Sequence, residues 1–300
     1  MPRTELISKE EKKKKAIRQV LIWFGIVIFL LWTITPLLIM MLSSVKELRE
    51  SFQIPAVGDW SGAFQKLFVF NPTGRHFIKL FTEDDFLPYI VNSLIAAGCA
   101  SVIAVLFGSL AAYGLARGKI PGEKHLSFWI LSTRMAPVVA VMVPLYSIFS
   151  AFGLLEADRS LNLIALIIAY TTFDLPFAVW FLRSFFEDIP TELEEAARVD
   201  GCTNMQALRK IILPLAKPGI VAAFILCLIF SWNDFIFASI FGQQAAKTLP
   251  VATAELHTTV DIQWGGILAS GTILVAPMLI LGLFIKKYMV QGMTMGAVRQ

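Results

Sequence analysis

Charge is scarce in this chain: of 300 residues only 16% are Asp, Glu, Lys or Arg, whereas 56% are hydrophobic. Together with a mean hydropathy of +0.69, that balance excludes an ordinary soluble domain and describes a polytopic membrane protein. Cysteine is also sparse. Cys99, Cys202 and Cys227 lie far apart, two of them in apolar runs, so no disulfide framework or metal-ligand spacing is available and they read as small buried hydrophobes. His76, His125 and His257 are scattered over loops with no ligand pair at helical spacing, which removes a histidine metal site. No Gly-x-x-x-x-Gly-Lys-Ser/Thr loop occurs, since the segment 114–120 has the wrong spacing and no hydroxyl; the chain cannot bind ATP by that route. A nucleophile elbow or other hydrolase signature is equally absent, so neither a catalytic residue nor an enzyme is expected. The net charge of +4 is too small to imply nucleic acid.

What the chain does have is long apolar runs. Residues 20–42 are apolar and, at 1.5 Å per residue, long enough to cross about 30 Å of hydrocarbon. The run is too long for a cleaved signal peptide and lacks a small-x-small cleavage site, which favours a retained first span. Before it, 1–19 reads as a solvated basic tail. After it, 43–87 is mixed and aromatic, with Trp60, Phe64, Phe68 and Phe70, and reads as an extramembrane loop with short helices, resting partly on the membrane surface. Further spans are expected over about 88–116, 126–149, 162–185, 215–241 and 265–285, within a permease domain of 88–285, followed by a tail at 286–300. In the second span Ser93, Ala97 and Ser101, then Ala104, Gly108 and Ala112, recur every four residues, a stripe that lets another helix approach closely. Gly242 to Trp264 reads as a polar loop.

Lysine and arginine placement gives the orientation. With six spans, one side holds both tails, the 117–125 turn and the region around 183–217, and it carries eighteen of these residues against seven on the other. Both termini are therefore expected in the cytoplasm.

One polar stretch interrupts the apolar runs. Over 190–214 the sequence reads as two short capped helices. Thr191 can cap the first, with Glu194 closing a capping box. Gly201 is placed to end it in a left-handed conformation. Thr203 with Gln206 repeats the capping pattern, and Pro214 is expected to stop the second helix. An amphipathic interfacial hairpin is the plain alternative, but Ala196, Ala197 and Gly201 offer little lipid-binding area and suit close approach to another protein.

Glu195-Ala196-Ala197, then Gly201, then Ile211 and Leu213-Pro214, resemble the EAA loop of binding-protein-dependent ABC importer permeases. Asn92-Ser93 is similar to that importer family as well, and the segment Trp232-Asn233-Asp234-Phe235 is similar to its carbohydrate-uptake, maltose-type branch, in the second permease subunit. The ending Gly292-Met293-Thr294-Met295-Gly296-Ala297-Val298 is similar as well. The resemblance implies an all-α integral membrane protein with six transmembrane helices in the type I ABC importer permease fold, with a cytoplasmic coupling helix. It implies a bacterial cytoplasmic (inner) membrane location. It further implies a homologous second permease subunit, a cytoplasmic ABC ATPase dimer that binds ATP and magnesium, and an extracytoplasmic solute-binding protein, with no cofactor on this chain. On this reading Glu194, Glu195, Ala196, Ala197, Asp200, Gly201, Ile211, Leu213 and Pro214 couple to the ATPase, and Gly292, Gly296 and Ala297 contact it from the tail. The solute would be a sugar or sugar alcohol.

Ionisable groups inside spans are candidates for function by default. Arg134 and Asp174 fall at similar depth, about 12–15 Å from the cytoplasmic ends, and are expected to approach each other as a salt bridge or through a polar neighbour; the alternative is that Arg134 snorkels to the near interface. Trp232, Asn233 and Asp234 combine an aromatic face with hydrogen-bonding groups, as a sugar site does, or belong to an interfacial aromatic belt. Pro137, Pro144, Pro176 and Pro277 free carbonyls that must face protein or a wet cavity. The rival functions are an importer permease for another solute class and, from a different class, an ion-driven secondary transporter with two inverted halves of three spans.

Overall fold

The computed structural model describes residues 3–47, 61–62, 68–118, 120–257 and 263–296. Its regular structure is helical, with no β-strand among the described residues. The helices are α1 (Arg3–Ser44), α2 (Arg75–Thr82), α3 (Leu87–Arg117), α4 (Glu123–Thr133), α5 (Val138–Ala151), α6 (Arg159–Glu187), α7 (Glu192–Val199), α8 (Asn204–Ala207), α9 (Leu213–Leu215), α10 (Lys217–Trp232), α11 (Ile236–Phe241), α12 (Leu249–Glu255) and α13 (Trp264–Gly296), with a π-helical turn at Leu208–Ile212. Four stretches, Lys15–Ser44, Leu87–Arg117, Arg159–Glu187 and Trp264–Lys286, are long and apolar enough to cross a membrane unaided. Two bent pairs, α4 with α5 and Asn204–Leu215 with α10, raise the number to six.

The chain divides into two compact units, Met1–Lys79 with Gln263–Thr272 and Leu80–Ile262 with Ile273–Gln300. In the first unit the expected solvated tail is helical from Arg3, so α1 runs through it into the first expected span. Pro36 lies inside α1, and Thr33 and Thr35 donate to carbonyls one turn back, at 2.9 and 2.6 Å. The end of α1 is tied to α2 by Thr73 N–H to the Val45 carbonyl at 2.7 Å and by His76 Nε2 to the Lys46 carbonyl at 2.9 Å. Lys79 Nζ donates to Gln263 Oε1 at 2.9 Å, and the His76 ring lies where a Cβ on Gly265 would stand. A side chain at 265 would displace the His76 ring from its bond to the Lys46 carbonyl. Trp60 and Phe64, assigned to the surface loop, lie outside the described residues.

The second unit is built on α3, which packs along α6, with α10 against both. The stripe read from the sequence is the reason they fit. Ser93, Ala97, Ser101, Ala104, Gly108 and Ala112 are all buried, as are Ala96 and Ala100 on the neighbouring ridge. A Cβ on Gly108 would stand 2.8 Å from that of Ala178 and 3.3 Å from the Val179 amide nitrogen. Ser101 and Ser109 return their hydroxyls to carbonyls of their own helix, at 2.7 and 2.6 Å, so the seam buries no unpaired hydroxyl there. Asp158 caps α6 by accepting from the Leu161 amide at 2.9 Å.

Three expected boundaries move. The third span is not one helix: the chain turns by 83° between α4 and α5, because Pro137 cannot extend α4 and disfavours the helical conformation in the residue before it. Pro214 does not stop its helix either. The chain passes through a π turn and α9 and breaks at Ala216, turning by 76° into α10. The fifth span ends at Trp232 rather than running to 241, and α11 follows as a separate helix. The expected tail from 286 is helical as far as Gly296, as the end of α13.

Candidate functional site

The polar stretch folds into a hairpin whose two halves obey different parts of the sequence reading. Gly201 adopts φ +84°, with Gly201 N–H bonded to the Arg198 carbonyl at 3.0 Å and Cys202 N–H to the Ala197 carbonyl at 2.9 Å. That is a Schellman ending, which requires a left-handed residue after the helix. The Thr203–Gln206 capping box forms in both directions. The Thr191–Glu194 box does not: Thr191 is itself helical and makes no capping bond.

Glu194 is used elsewhere. Its side chain is buried and turned toward the end of α3. Oε1 accepts from Arg117 Nε at 2.5 Å and Oε2 from the Tyr113 hydroxyl at 2.8 Å. The same guanidinium donates through Nη2 to the Ile189 carbonyl at 2.6 Å. Beside this group lies a cavity of about 470 Å³, lined by Gly114, Gly118, Thr191, Arg198 and Asn204 among others.

The hairpin thus has two faces. Ala197, Ala207, Leu208 and Ile212 are buried, the last two in a core with Ala112, Leu115, Leu182 and Phe186. Ile211 and Leu213 pack partly buried against that core, whereas Pro214 is exposed. The opposite face carries Glu195, Ala196, Asp200 and Gly201, all exposed, together with Val199, 88% exposed, and Met205, 56% exposed. Two apolar side chains are thus left exposed at the tip of a polar hairpin. Of the tail residues, Gly292 and Gly296 lie on the last turns of α13, and Ala297 is outside the described residues.

The intramembrane candidates converge, but not as an ion pair. Arg134 closes α4 at the α4–α5 break. Its guanidinium lies between the rings of Phe177 and Phe230, 4.8 and 4.4 Å from their centroids, and donates to the Phe173 carbonyl at 3.3 Å. Asp174, the next residue, is buried and accepts from Ser231 Oγ at 2.7 Å. Of the two expected forms of approach, the direct Arg134–Asp174 salt bridge is not formed, because two aromatic faces and the carbonyl of the residue before Asp174 hold the guanidinium first. Trp232 is buried and donates Nε1–H to the Leu274 carbonyl at 3.0 Å. Asp234 accepts from the amides of Phe237 and Ala238, at 2.9 and 3.2 Å, which starts α11. Asn233 is exposed and donates to the Ile229 carbonyl at 3.0 Å. Trp232 and Asp234 thus hold the helix break, and Asn233 alone of the three points outward.

The contacts of several residues escaped the sequence reading. Tyr113 and Arg117 stand one turn apart at the end of α3, an i, i+4 pair whose only earlier role was a span residue and a basic charge. Asn92 is a hub at the other end: it donates to the Lys247 carbonyl and accepts from Arg159 Nε, both at 2.8 Å, while Ser93 Oγ accepts from the Leu249 amide at 2.8 Å. The expected polar loop at 242–264 is in part the buried helix α12, with Leu249, Pro250, Val251 and Ala252 inside. Arg183 joins α6 to α4 by pairing with Glu123 and Ser127 as well as with Glu187.

Comparison with known proteins agrees with this geometry. Residues 104–295 match the family described as binding-protein-dependent transport system inner membrane component. The inner membrane ABC transporter permease protein YcjP of Escherichia coli is 32% identical over 289 residues, 95% of this chain and 98% of that one. The trehalose transport system permease protein SugB of Mycobacterium tuberculosis is 38% identical, over 78% and 85% of the two chains. The diacetylchitobiose uptake system permease protein DasC of Streptomyces coelicolor is 32% identical, over 76% and 81%. Among solved structures, a chain of a bacterial ABC transporter involved in import of the acidic polysaccharide alginate superposes with a TM-score of 0.71 at 21% identity, over 92% of this chain and 97% of that one.

Proposed function

The chain belongs to the binding-protein-dependent transport system inner membrane components, and from that membership we propose that it forms half of the translocation pathway of an ATP-driven importer of sugars or sugar alcohols. A homologous second permease subunit supplies the other half. ATP, with magnesium, is bound and hydrolysed in a separate cytoplasmic ATPase dimer, and an extracytoplasmic binding protein delivers the solute. Both termini and the 190–214 hairpin face the cytoplasm, a placement supported by the lysine and arginine excess on that side.

The observation that carries this reading is the two-faced hairpin. One face is cemented into the α3–α6–α10 core through Leu208 and Ile212, while the other presents Glu195, Ala196, Val199 and Gly201 to the exterior. A chain with no phosphate-binding loop needs its energy delivered through such a contact. The sugar assignment rests on relatives named for trehalose and diacetylchitobiose. An ion-driven carrier would leave the exposed hairpin tip without a purpose, and this reading is not favoured.

The test is purification of the tagged chain in mild detergent from its native membrane, followed by uptake in proteoliposomes. The expected result is co-purification of an ABC ATPase, a second permease and nucleotide-dependent uptake of a labelled disaccharide. Glu195→Lys or Gly201→Asp should leave the chain in the membrane but detach or uncouple the ATPase. Uptake by the solitary chain without nucleotide, or labelling of a Val199→Cys variant only from outside the cell, overturns the proposal.

A further inference from the structure

Glu194 belongs to the motif region read as ATPase-facing, yet its carboxylate points the other way, into a fully occupied polar clamp. Both oxygens are taken, one by Arg117 at 2.5 Å and one by Tyr113 at 2.8 Å. The guanidinium also holds the Ile189 carbonyl at 2.6 Å, so a single side chain ties together the end of α3, the link after α6 and the first helix of the hairpin. The side chains of Arg117 and Glu194 are 13% and 9% exposed.

The hairpin is attached by covalent chain to α6 at one end and to α10 at the other. To α3 its first helix is attached by this clamp, beside a cavity of about 470 Å³ rather than across a filled apolar interface. Apolar packing of α7 alone would leave its tilt poorly fixed over that space. An Arg–carboxylate bond supplies direction as well as strength, and the phenol blocks the second oxygen from rotating away. Since α3 is locked to α6 along the small-residue seam, the clamp sets the angle of the hairpin relative to that whole pair.

Resting on the proposed function, we infer that Arg117 and Tyr113 are positioning residues of energy coupling: by holding Glu194 they make movement of the hairpin carry α3 with it. A motion delivered to the exposed tip then reaches α6 and α10 through the chain, and α3 through the Leu208–Ile212 packing, the seam with α6 and the clamp, of which only the clamp joins the first helix of the hairpin directly to α3 by directed polar bonds. Without the clamp the hairpin still meets the ATPase, but its first helix no longer holds a fixed angle to α3, and part of the movement is lost.

The experiment uses the complete transporter in proteoliposomes and reads two quantities, labelled disaccharide moved per ATP hydrolysed and the amount of ATPase subunit co-purifying. Arg117→Gln and Glu194→Gln are expected to lower the solute-to-ATP ratio by about 5- to 150-fold, the usual range for coupling between sites, with the ATPase still bound. Tyr113→Phe should give a smaller loss in the same direction. The exchange Arg117→Glu with Glu194→Arg should recover part of the ratio lost in the single variants. An unchanged ratio in Arg117→Gln overturns the inference, and so does loss of the ATPase subunit in step with transport, which marks a merely structural clamp. If the unsubstituted chain brings down no ATPase at all, the proposed function itself fails, a result distinct from either of these.

Discussion

Gly108→Ala is the sharpest perturbation of the frame that carries both candidate sites. At this position α3 and α6 are so close that the added methyl would stand 2.8 Å from the Ala178 Cβ and 3.3 Å from the Val179 amide nitrogen. Carbon atoms pack at about 3.5–4.0 Å, so the helices must part by roughly 0.7 Å or tilt. Neither contact is a flexible side-chain end that could swing aside. Overpacking of this kind costs about 1–3 kcal/mol, or about 5- to 140-fold in the folded population. Gly98 lies on the same helix with nothing within 4 Å of its added Cβ. There the substitution to alanine should be neutral or stabilising, by up to about 1 kcal/mol of helix propensity. The assay is thermal denaturation of the detergent-solubilised chain, followed as loss of the monodisperse peak, with the two variants side by side. A lowered midpoint for Gly108→Ala and an equal or raised one for Gly98→Ala is the expected pattern. Equal midpoints for the two variants would refute the argument that α3 and α6 depend on close approach at this point.

Three other outcomes follow from named contacts. Gly201→Ala meets no neighbour but must hold φ +84°, so a loss of about 1 kcal/mol should appear as faster hydrogen exchange over 192–207, and Gly201→Asn should lose less. Arg134→Lys should not substitute for arginine, because an ammonium cannot lie flat between Phe177 and Phe230; transport by the assembled complex is expected to fall as it does for Arg134→Ala, and full activity in the lysine variant would remove the stacking argument. Asn92→Ala strands the Lys247 carbonyl, at about 1–3 kcal/mol for a buried group left unpaired, while the exposed Arg159 can turn to water, and protease sensitivity of the 242–256 segment should rise.

Much of the architecture could be read from one dimension because membrane crossing is a one-dimensional constraint. An apolar run of about 20 residues has few alternatives in lipid, so four spans and the two broken ones were visible as hydropathy. The seam was visible too, since Ser93, Ala97, Ser101, Ala104, Gly108 and Ala112 fall on one helical face by spacing alone. Local chemistry was equally legible where it is local. The Gly201 ending and the Thr203–Gln206 box involve residues within five positions of each other, so backbone geometry and side-chain reach fix them without outside help.

Misreadings arose where a distant group competed for the same atoms. Thr191 and Glu194 have the spacing of a capping box, but Arg117 and Tyr113, some 80 positions away in the chain, offer the carboxylate a charged and a phenolic donor. A charge-assisted pair outcompetes one backbone amide. Arg134 and Asp174 share a depth, which hydropathy can register, but whether opposite charges meet depends on which faces of three helices turn toward each other. Phe177 and Phe230 come from two of those helices and intercept the guanidinium.

The sequence by itself determined that this protein spans a membrane and contains no phosphate-loop motif. It also placed a capped polar hairpin between its fourth and fifth apolar runs, because each of these depends on composition or on neighbours a few residues apart. The tertiary structure alone decided which hairpin residues face inward and which outward, where the spans break, and that Asn92 and Arg117 anchor opposite ends of α3. Those outcomes are set by contacts between residues tens of positions apart, whose meeting no spacing rule encodes.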